Sequence, residues 1–353
     1  MRSLRRLRTA ALAVAGLSVL AAAPERGDPV ARISAAPAAS EYWDFVASFD
    51  SNERLLARFL ITNDGPGDAS AFAVGHFIRA DGTAVPFRNG RLAGAWTLAE
   101  DRRFLRIGSS RLDLSGPEIA LDVDNKKRGI RIHLRMRPGP QVSAGPELPG
   151  TAVDVLALAA PVTGTFWSTG MSAPQSLRGR AGISHTWMDP RESERVARRF
   201  DFFGRDGALA LYLGDAMAPD GRRAQALSIE RDGKPVFNVM QITIAHGDET
   251  EIGLGADYPV PKQLIITGNG ISGVIHLNRM LVHHEPLQDL PLPFRFLLSS
   301  VAHPQRVWMD SRFEVRIEQG PLSTSLQAQG SGITSVSFSN PLPSATSQRH
   351  ATD

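Results

Sequence analysis

The chain has 353 residues, of which 42% are hydrophobic and 21% charged, so it is neither disordered nor fibrous. Its formal charge of +3 is small and its arginines are scattered, so we expect no nucleic-acid partner. Because the chain contains no cysteine, it has no disulfide, no thiolate metal site and no cysteine nucleophile.

The first 23 residues predict a secretory signal peptide, because four arginines among the first eight residues precede an apolar run from Thr9 to Ala23. That run is shorter than the roughly 20 apolar residues that a transmembrane helix needs. We predict cleavage between Ala23 and Ala36 and a periplasmic or secreted location, with an uncleaved N-terminal anchor as the alternative. Residues 24–40 are then a flexible lead-in.

The first strand signals come from residues 71–79, which run into Asp81-Gly82, a hairpin turn signal, so that residues 83–87 return beside them. Residues two apart on a strand share a face. Phe72 and His76 therefore point together, and we predict that they line the inside of a first barrel and contact a substrate. The alternative is that His76 is a satisfied core histidine.

Residues 129–137 give the clearest alternation of apolar and polar side chains, which is typical of a half-buried antiparallel strand. The inward side chains are Ile130, Ile132, Leu134 and Met136, and the outward ones are Arg131, His133, Arg135 and Arg137. We predict that His133 lies on the surface. The outward arginines are candidates for peripheral contact with anionic lipid head groups, and a solvated face is the alternative.

Residues 138–150 are rich in proline and glycine and predict a connection between two domains. We place an N-terminal domain at 41–150 and a C-terminal domain at 151–343. A polar, disordered tail follows at 344–353.

Turn signals recur in the second half of the chain, at Asp206-Gly207, Asp220-Gly221 and Asp232-Gly233, each between strand-like runs. Together with the turn at Asp81-Gly82, they predict an all-β meander. Residues 290–303 are the exception, because their prolines and apolar run predict a short helix or a buried loop.

The most informative stretch is 179–215, where a predicted strand places Ile183, His185 and Trp187 on one face and a second strand ends in Tyr212 and Asp215. An imidazole beside an indole on a strand wall is a candidate reaction site, although such residues also occur as plain core. The candidate catalytic residues are His185, Trp187, Tyr212 and Asp215, and the candidate substrate-binding residues are His76, Phe72, Ile183 and Trp167.

These segments resemble the AttH-like, two-domain lipocalin-like family that includes carotenoid 1,2-hydratase, kievitone hydratase and fungal Diels-Alderases. The matching pieces are the strand pair at 49–79, the segment 179–187 with its His-x-Trp, and residues 200–232 with their aromatic strand, Asp-Gly turn and leucine-rich strand. The resemblance implies two lipocalin-like antiparallel β-barrel domains in tandem.

The sequence departs from that family at two places. Family members place an aromatic residue and an acid before the His and a Gly after the Trp, whereas this chain has Ile183, Ser184 and Met188 there. The hydratases also carry a Tyr-x-Asp, whereas Tyr212 and Asp215 are three residues apart and face opposite ways unless a bulge at Gly214 turns the acid.

Adding water to an alkene requires a proton donor, an aromatic face for the cation and a placed water. His185 can donate the proton or orient the water, and Trp187 can stabilise the cation. We predict an exported protein that binds an apolar isoprenoid-, lipid- or polyketide-like molecule and catalyses its hydration or cyclisation. The alternatives are a non-catalytic periplasmic carrier and an envelope structural protein.

We expect no cofactor and no metal. No nucleotide-binding glycine fingerprint or metalloprotease motif is present in the sequence. His283 and His284 are adjacent on a predicted strand, so they face opposite ways and cannot hold one ion.

Overall fold

The computed structural model describes residues 27–63, 69–139, 142–239, 242–250, 254, 257–289, 295, 299, 303–318 and 325–342. The predicted signal peptide, the predicted tail and most of the segment 290–303 lie outside these residues. Strands make up 65% of the protein and helices 3%, which confirms the all-β class. Among the described residues, no helix has the length and apolar character needed to span a membrane.

The first sheet contains 12 strands. They are β1 (Ser40–Phe49), β2 (Arg54–Thr62), β3 (Ser70–Ile78), β4 (Ala84–Arg91), β5 (Trp96–Leu98), β6 (Phe104–Ile107), β7 (Ser110–Asp113), β8 (Ile119–Asn125), β9 (Ile130–Met136), β10 (Ser143–Ala144), β11 (Thr151–Ser168) and β12 (Gln175–Met188). Their order is β4-β3-β2-β1-β12-β11-β9-β8-β7-β6-β5, and β10 pairs with β11.

The second sheet contains nine strands. They are β13 (Arg198–Asp206), β14 (Leu209–Met217), β15 (Arg223–Arg231), β16 (Lys234–Val239), β17 (Ile242–Thr250), β18 (Val260–Gly268), β19 (Ile271–His284), β20 (Gln305–Ile317) and β21 (Leu326–Phe338). Their order is β16-β15-β14-β13-β21-β20-β19-β18-β17. A helical turn, α1 (Glu192–Arg195), precedes β13, and a 3-10 turn, Pro286–Asp289, follows β19.

Both sheets are antiparallel, and one is a nearly closed barrel whereas the other is a half-barrel, as the predicted barrel-like architecture requires. Each sheet has its own apolar core. β9 shows the predicted alternation, because its four apolar residues are fully buried and the residues between them are exposed.

Glycine turns connect successive strands where the sequence predicted them. Gly82 lies between β3 and β4, and Gly207, Gly221 and Gly233 lie between successive strands from β13 to β16. Their φ angles are 87°, 54°, 84° and 71°, a conformation that glycine adopts without strain. The four predicted hairpins are confirmed.

The two sheets also pack against each other through a separate apolar cluster. It contains Val46, Leu56, Ile78, Val155 and Leu158 from the first sheet and Phe203, Ala210, Tyr212, Val282, Trp308 and Ile333 from the second. Gly182 of β12 faces the Phe203 ring so closely that a methyl group at this position would collide with it. Both faces of several strands are therefore covered by protein.

The change from one sheet to the other does not occur at the predicted boundary. β11 and β12, which follow residue 150, pair with β9 and β1 and so belong to the first sheet. The second sheet begins only at β13. The division near Gly150 was wrong as a sheet boundary because proline and glycine content marks a loop but does not show which strands pair across it.

Residues 27–39 were predicted to be part of a flexible lead-in, and this was also wrong. Ala31 is buried, and its N–H donates to the Arg102 carbonyl at 2.9 Å. Asp28 forms an ion pair with Arg103 at 2.6 Å. These contacts fix the segment against the first sheet, although its short length and two prolines gave no sign of them.

Candidate functional site

His185 and Glu41 form a buried acid–base pair inside the first sheet. His185 Nε2 lies 2.6 Å from Glu41 Oε1, and both side chains are fully buried. Ile183 belongs to the core of this sheet, and the His185 ring contacts Trp187. The predicted common face of Ile183, His185 and Trp187 is therefore confirmed.

Two indoles flank the imidazole. The ring centroids of Trp43 and His185 are 4.7 Å apart with an interplanar angle of 9°, and those of Trp187 and His185 are 5.0 Å apart at 41°. In the β1–β12 pairing, Trp43 lies opposite His185 and Glu41 lies opposite Trp187. Cross-strand neighbours on one face are in contact, so the four side chains form one compact group.

Residues 27–33, which we call the cover segment, lie over this group. The N–H groups of Arg32 and Ile33 donate to the Glu41 carboxylate at 2.7 and 2.5 Å. The Gly27 N–H donates at 2.7 Å to Asp154, a fully buried carboxylate on β11 opposite His185. The Arg32 guanidinium carbon lies 4.0 Å from the Trp187 ring centroid, a cation–π contact.

The two nitrogens of His185 have different environments. Nε2 is hydrogen-bonded to Glu41 Oε1, which also accepts the backbone N–H of Arg32. His185 Nδ1 is buried and has no hydrogen-bond partner among the described residues. A carboxylate that holds one imidazole nitrogen leaves the other free to accept or deliver a proton, as in catalytic triads. Nδ1 is therefore the atom through which this pair can act.

Tyr212 lies apart from His185, between the two sheets. Its hydroxyl donates to Asp201 Oδ1 at 2.8 Å, and Asp201 is also held by Arg199 at 2.7 Å. Burial, and next the charge of Asp201, raise the pKa of Tyr212 well above its ordinary value. The phenol therefore stays protonated and serves as a buried donor at the sheet interface.

Asp215 lies neither beside His185 nor at the interface between the two sheets. β14 pairs with both neighbours without a bulge at Gly214, so Tyr212 and Asp215 face opposite sides of the strand. Asp215 points into the second sheet, where it accepts hydrogen bonds from His246 at 2.8 Å and from Arg223. Burial alone raises the pKa of Asp215, but the hydrogen bonds from His246 and Arg223 outweigh it and lower the pKa. Asp215 therefore stays ionised.

Phe72 and His76 do not line the inside of the first sheet, and that prediction was wrong. Their neighbours Ala73 and Phe77 belong to the inner core, so the face of Phe72 and His76 is the opposite one. The His76 ring lies 5.7 Å from that of His284 and 6.0 Å from that of Trp308, both on the second sheet. The apolar pattern could not separate the faces, because protein covers both.

Trp167 also faces away from the inner core, which its neighbour Phe166 enters. Its indole N–H donates to the Met171 carbonyl at 3.1 Å, and the Arg131 guanidinium lies 4.8 Å from its ring centroid. Trp167 is therefore not a neighbour of His185 and does not form a common site with it. Of the eight candidate residues, the structure brings together only Ile183, His185 and Trp187.

A buried ion pair links the two sheets. Asp44 on β1 accepts hydrogen bonds from Arg58 at 2.7 and 2.8 Å and from Arg306 on β20 at 3.1 Å. Burial alone raises the pKa of Asp44, but the charges of Arg306 and Arg58 outweigh burial and hold the pKa well below its ordinary value. Asp44 is thus a charged structural bridge between the sheets.

A cleft of about 330 Å³ opens where β1 and β12 of the first sheet meet β13 and β21 of the second. We call it the inter-sheet cleft. Neither His185 nor Trp187 lines it. Within the described ranges, no group of three or more His, Asp or Glu side chains is arranged to hold a metal ion.

The sequence reasoning missed Glu41, Trp43 and Asp154. The resemblance implied an acid just before His185 on the same strand, and the sequence has none there. Glu41 supplies an acid at this place in the fold, but it comes from β1. The signal was an alternation in Ser40–Phe49, where Glu41 and Trp43 share the face of Phe45, which is in the core. An acid at an inward position of an apolar strand indicates a buried polar contact.

Comparison by structure places these features on a known fold. An AttH candidate from Nitrosomonas europaea aligns with 84% of this chain and 92% of its own, at 12% identity and a TM-score of 0.60. CghA in complex with Sch210972 covers 91% of this chain and 97% of its own, at 12% identity and a TM-score of 0.58. Kievitone hydratase from Nectria haematococca covers 89% and 94%, at 9% identity and a TM-score of 0.52.

These likenesses confirm at the level of fold the resemblance inferred from the sequence. No protein-family model matches the chain. A comparison with curated proteins also gave no match.

Proposed function

We propose that the protein binds an apolar small molecule beside His185 and Glu41 and transfers a proton to or from it. The observation that carries this proposal is the arrangement of His185, whose Nε2 is held by Glu41 while the buried Nδ1 has no partner among the described residues. A buried ionisable pair is weak evidence for stability, and this favours a functional reason for its presence.

The reaction class that fits is hydration or cyclisation of an isoprenoid- or polyketide-like alkene. His185 in its protonated form delivers the Nδ1 proton to an alkene carbon, and Trp43 and Trp187 face the resulting cation. Cation–π attraction to an indole contributes roughly 1–2 kcal/mol. Capture by water then returns one proton to His185, so that the net change is the addition of one water molecule.

A ligand reaches this pair only if the cover segment moves. Residues 27–33 bind the Glu41 and Asp154 carboxylates through backbone N–H groups, and their apolar contacts with the core are those of Ala31 and Ile33. Segments held by few buried apolar contacts open at a lower free energy than the core does. We propose that opening of the cover segment admits the ligand and that its closure excludes water from the reaction.

The alternative function is non-catalytic carriage of a lipid or another apolar molecule. It is supported by the inter-sheet cleft, which has room for a ligand but contains no histidine. A molecule held there would have no proton donor like His185 beside it.

We also propose export to the periplasm or out of the cell, on the basis of the N-terminal arginines and the apolar run. Peripheral contact with anionic lipids remains a proposal for the face of Arg131, Arg135 and Arg137. On that face, Arg135 pairs with Asp122 at 3.2 Å and Arg137 with Glu118 at 2.6 Å.

Native mass spectrometry of protein purified from its own source tests the proposed function, with His185→Gln as the variant and His133→Gln as an exposed matched control. We expect an apolar compound to accompany the wild-type protein and both variants. On incubation, the mass of the compound should change with the wild-type protein and with His133→Gln but not with His185→Gln. Carriage alone predicts a compound that no form converts. A protein that retains no small molecule after gentle extraction would contradict both functions.

A further inference from the structure

The inter-sheet cleft carries a second inference, which does not depend on His185. We infer that it binds an amphipathic organic carboxylate, a small molecule with an apolar body and one anionic end. The cleft volume of about 330 Å³ is within the range of small-molecule sites, which begins at roughly 300 Å³.

The apolar part of the cleft lies where the sheets meet. Val46 and Leu158 from the first sheet and Phe203 and Ile333 from the second line it. All four are buried members of the cluster between the sheets. Each of these four side chains is at most 7% exposed, so they present a small apolar surface to the cleft, which a short hydrocarbon body is enough to cover.

Five charged residues line the same cleft, and their pairing leaves an excess of positive charge. They are Arg54, Arg180, Arg205, Asp50 and Asp310. Arg54 Nη2 pairs across the sheets with Asp310 Oδ1 at 3.2 Å, so these two charges compensate each other.

The guanidinium groups of Arg180 and Arg205 are not paired with any carboxylate of the described residues. Arg180 donates to the Ala159 carbonyl at 3.4 Å, and Arg205 donates through Nε to the Gly207 carbonyl at 2.8 Å. Each keeps donors that no described residue uses. Asp50 is the remaining charge of the lining, so one positive charge is left over among these five residues.

This arrangement selects an anion with two acceptor oxygens. A guanidinium presents parallel N–H donors that match a carboxylate in a bidentate geometry. The neighbouring Gly207 leaves open space where a side chain would otherwise project. An anionic end at Arg180 and Arg205 therefore allows the apolar body to lie on the surface formed by Val46, Leu158, Phe203 and Ile333.

Isothermal titration calorimetry with octanoate tests the inference, with 1-octanol and acetate as probes that lack the charge or the apolar body. We expect octanoate to bind at least about tenfold more tightly than either probe and to weaken as salt is added. Arg180→Gln and Arg205→Gln should each weaken octanoate binding about tenfold. Arg131→Gln, an exposed control, should not.

Ser331→Trp provides an independent variant, because it fills the cleft and leaves both arginines in place. We expect it to abolish octanoate binding while the far-ultraviolet circular dichroism spectrum stays unchanged. The inference is overturned if octanoate does not bind, if octanol binds as tightly, or if the two arginine variants retain full affinity. If octanoate binding is lost in His185→Gln but kept in Arg205→Gln, octanoate binds beside His185 and not in the inter-sheet cleft. That result would also overturn the inference.

Discussion

Glu41 and His185 are 144 residues apart in the chain, yet Glu41 Oε1 and His185 Nε2 are 2.6 Å apart in the folded protein. They meet because β1 and β12 are antiparallel neighbours and the two residues lie diagonally across the pairing. The pair therefore depends on a contact between the first strand of the chain and the last strand of the first sheet.

Tyr212→Phe separates the structural role of this tyrosine from the catalytic role predicted from the sequence. The change removes the hydrogen bond to Asp201 at the sheet interface, so we expect the free energy of unfolding to fall by about 1–3 kcal/mol. Conversion of the copurified ligand should not change. Chemical denaturation measures the first quantity, and a loss of conversion in a fully folded variant would contradict the assignment.

Arg306→Met tests the ion pair between the sheets. Removing the guanidinium leaves the buried Asp44 with Arg58 as its remaining arginine partner. Breaking a buried charge pair costs about 3–5 kcal/mol, and we expect a loss of this order in thermal or chemical denaturation. Arg316→Met is the control, because Arg316 and Glu318 form an exposed pair. Equal losses in the two variants would count against a special role for Asp44.

The acid stability of the protein should depend on Asp44. Its folded-state pKa lies below the ordinary value of 3.8, so its stabilising contribution is complete above that value and is lost as the pH falls toward the folded pKa. We expect the free energy of unfolding to fall as the pH drops below about 4 toward about 2, and to fall less steeply in Asp44→Asn. Denaturation curves across this range measure the slope, and identical slopes would contradict the prediction.

The cover segment should belong to the mature protein. Its N–H groups donate to Glu41 and Asp154, so a chain that starts at Ser34 loses these hydrogen bonds together with the buried contact of Ala31. We expect that chain to lose more than about 3 kcal/mol of stability relative to one that starts at Gly27. N-terminal sequencing of the protein purified from its own source should find that the chain begins at or before Gly27. Cleavage at Ala36 with retained stability would show that the segment is dispensable.

The fold could be predicted largely from local signals. The alternation in β9 and the glycine turns at Gly82, Gly207, Gly221 and Gly233 each depend on a few neighbouring residues, and all were confirmed. The pairing of β12 with β1 could not be predicted in this way, because it joins segments more than 100 residues apart. The misplaced boundary near Gly150 follows directly from that missing pairing.

The site was only partly predictable for a related reason. The alternation of side chains along a strand correctly placed His185 with Trp187 and put Tyr212 and Asp215 on opposite faces. This alternation does not show which face is the interior when protein covers both faces, and His76 was misplaced for that reason. The partner of His185 could not be found by searching its own strand, because Glu41 comes from another.

Deuterium incorporation is the most direct test of proton transfer by His185. The copurified ligand is incubated in D₂O with the wild-type protein, with His185→Gln, with Glu41→Gln and with Glu53→Gln, a control at another buried carboxylate of the first sheet. We predict carbon-bound deuterium in the ligand at a rate that falls about 10²-fold or more in the first two variants and is unchanged in the control. Equal labelling by the wild-type protein and His185→Gln, or no labelling by the wild-type protein, would contradict the account.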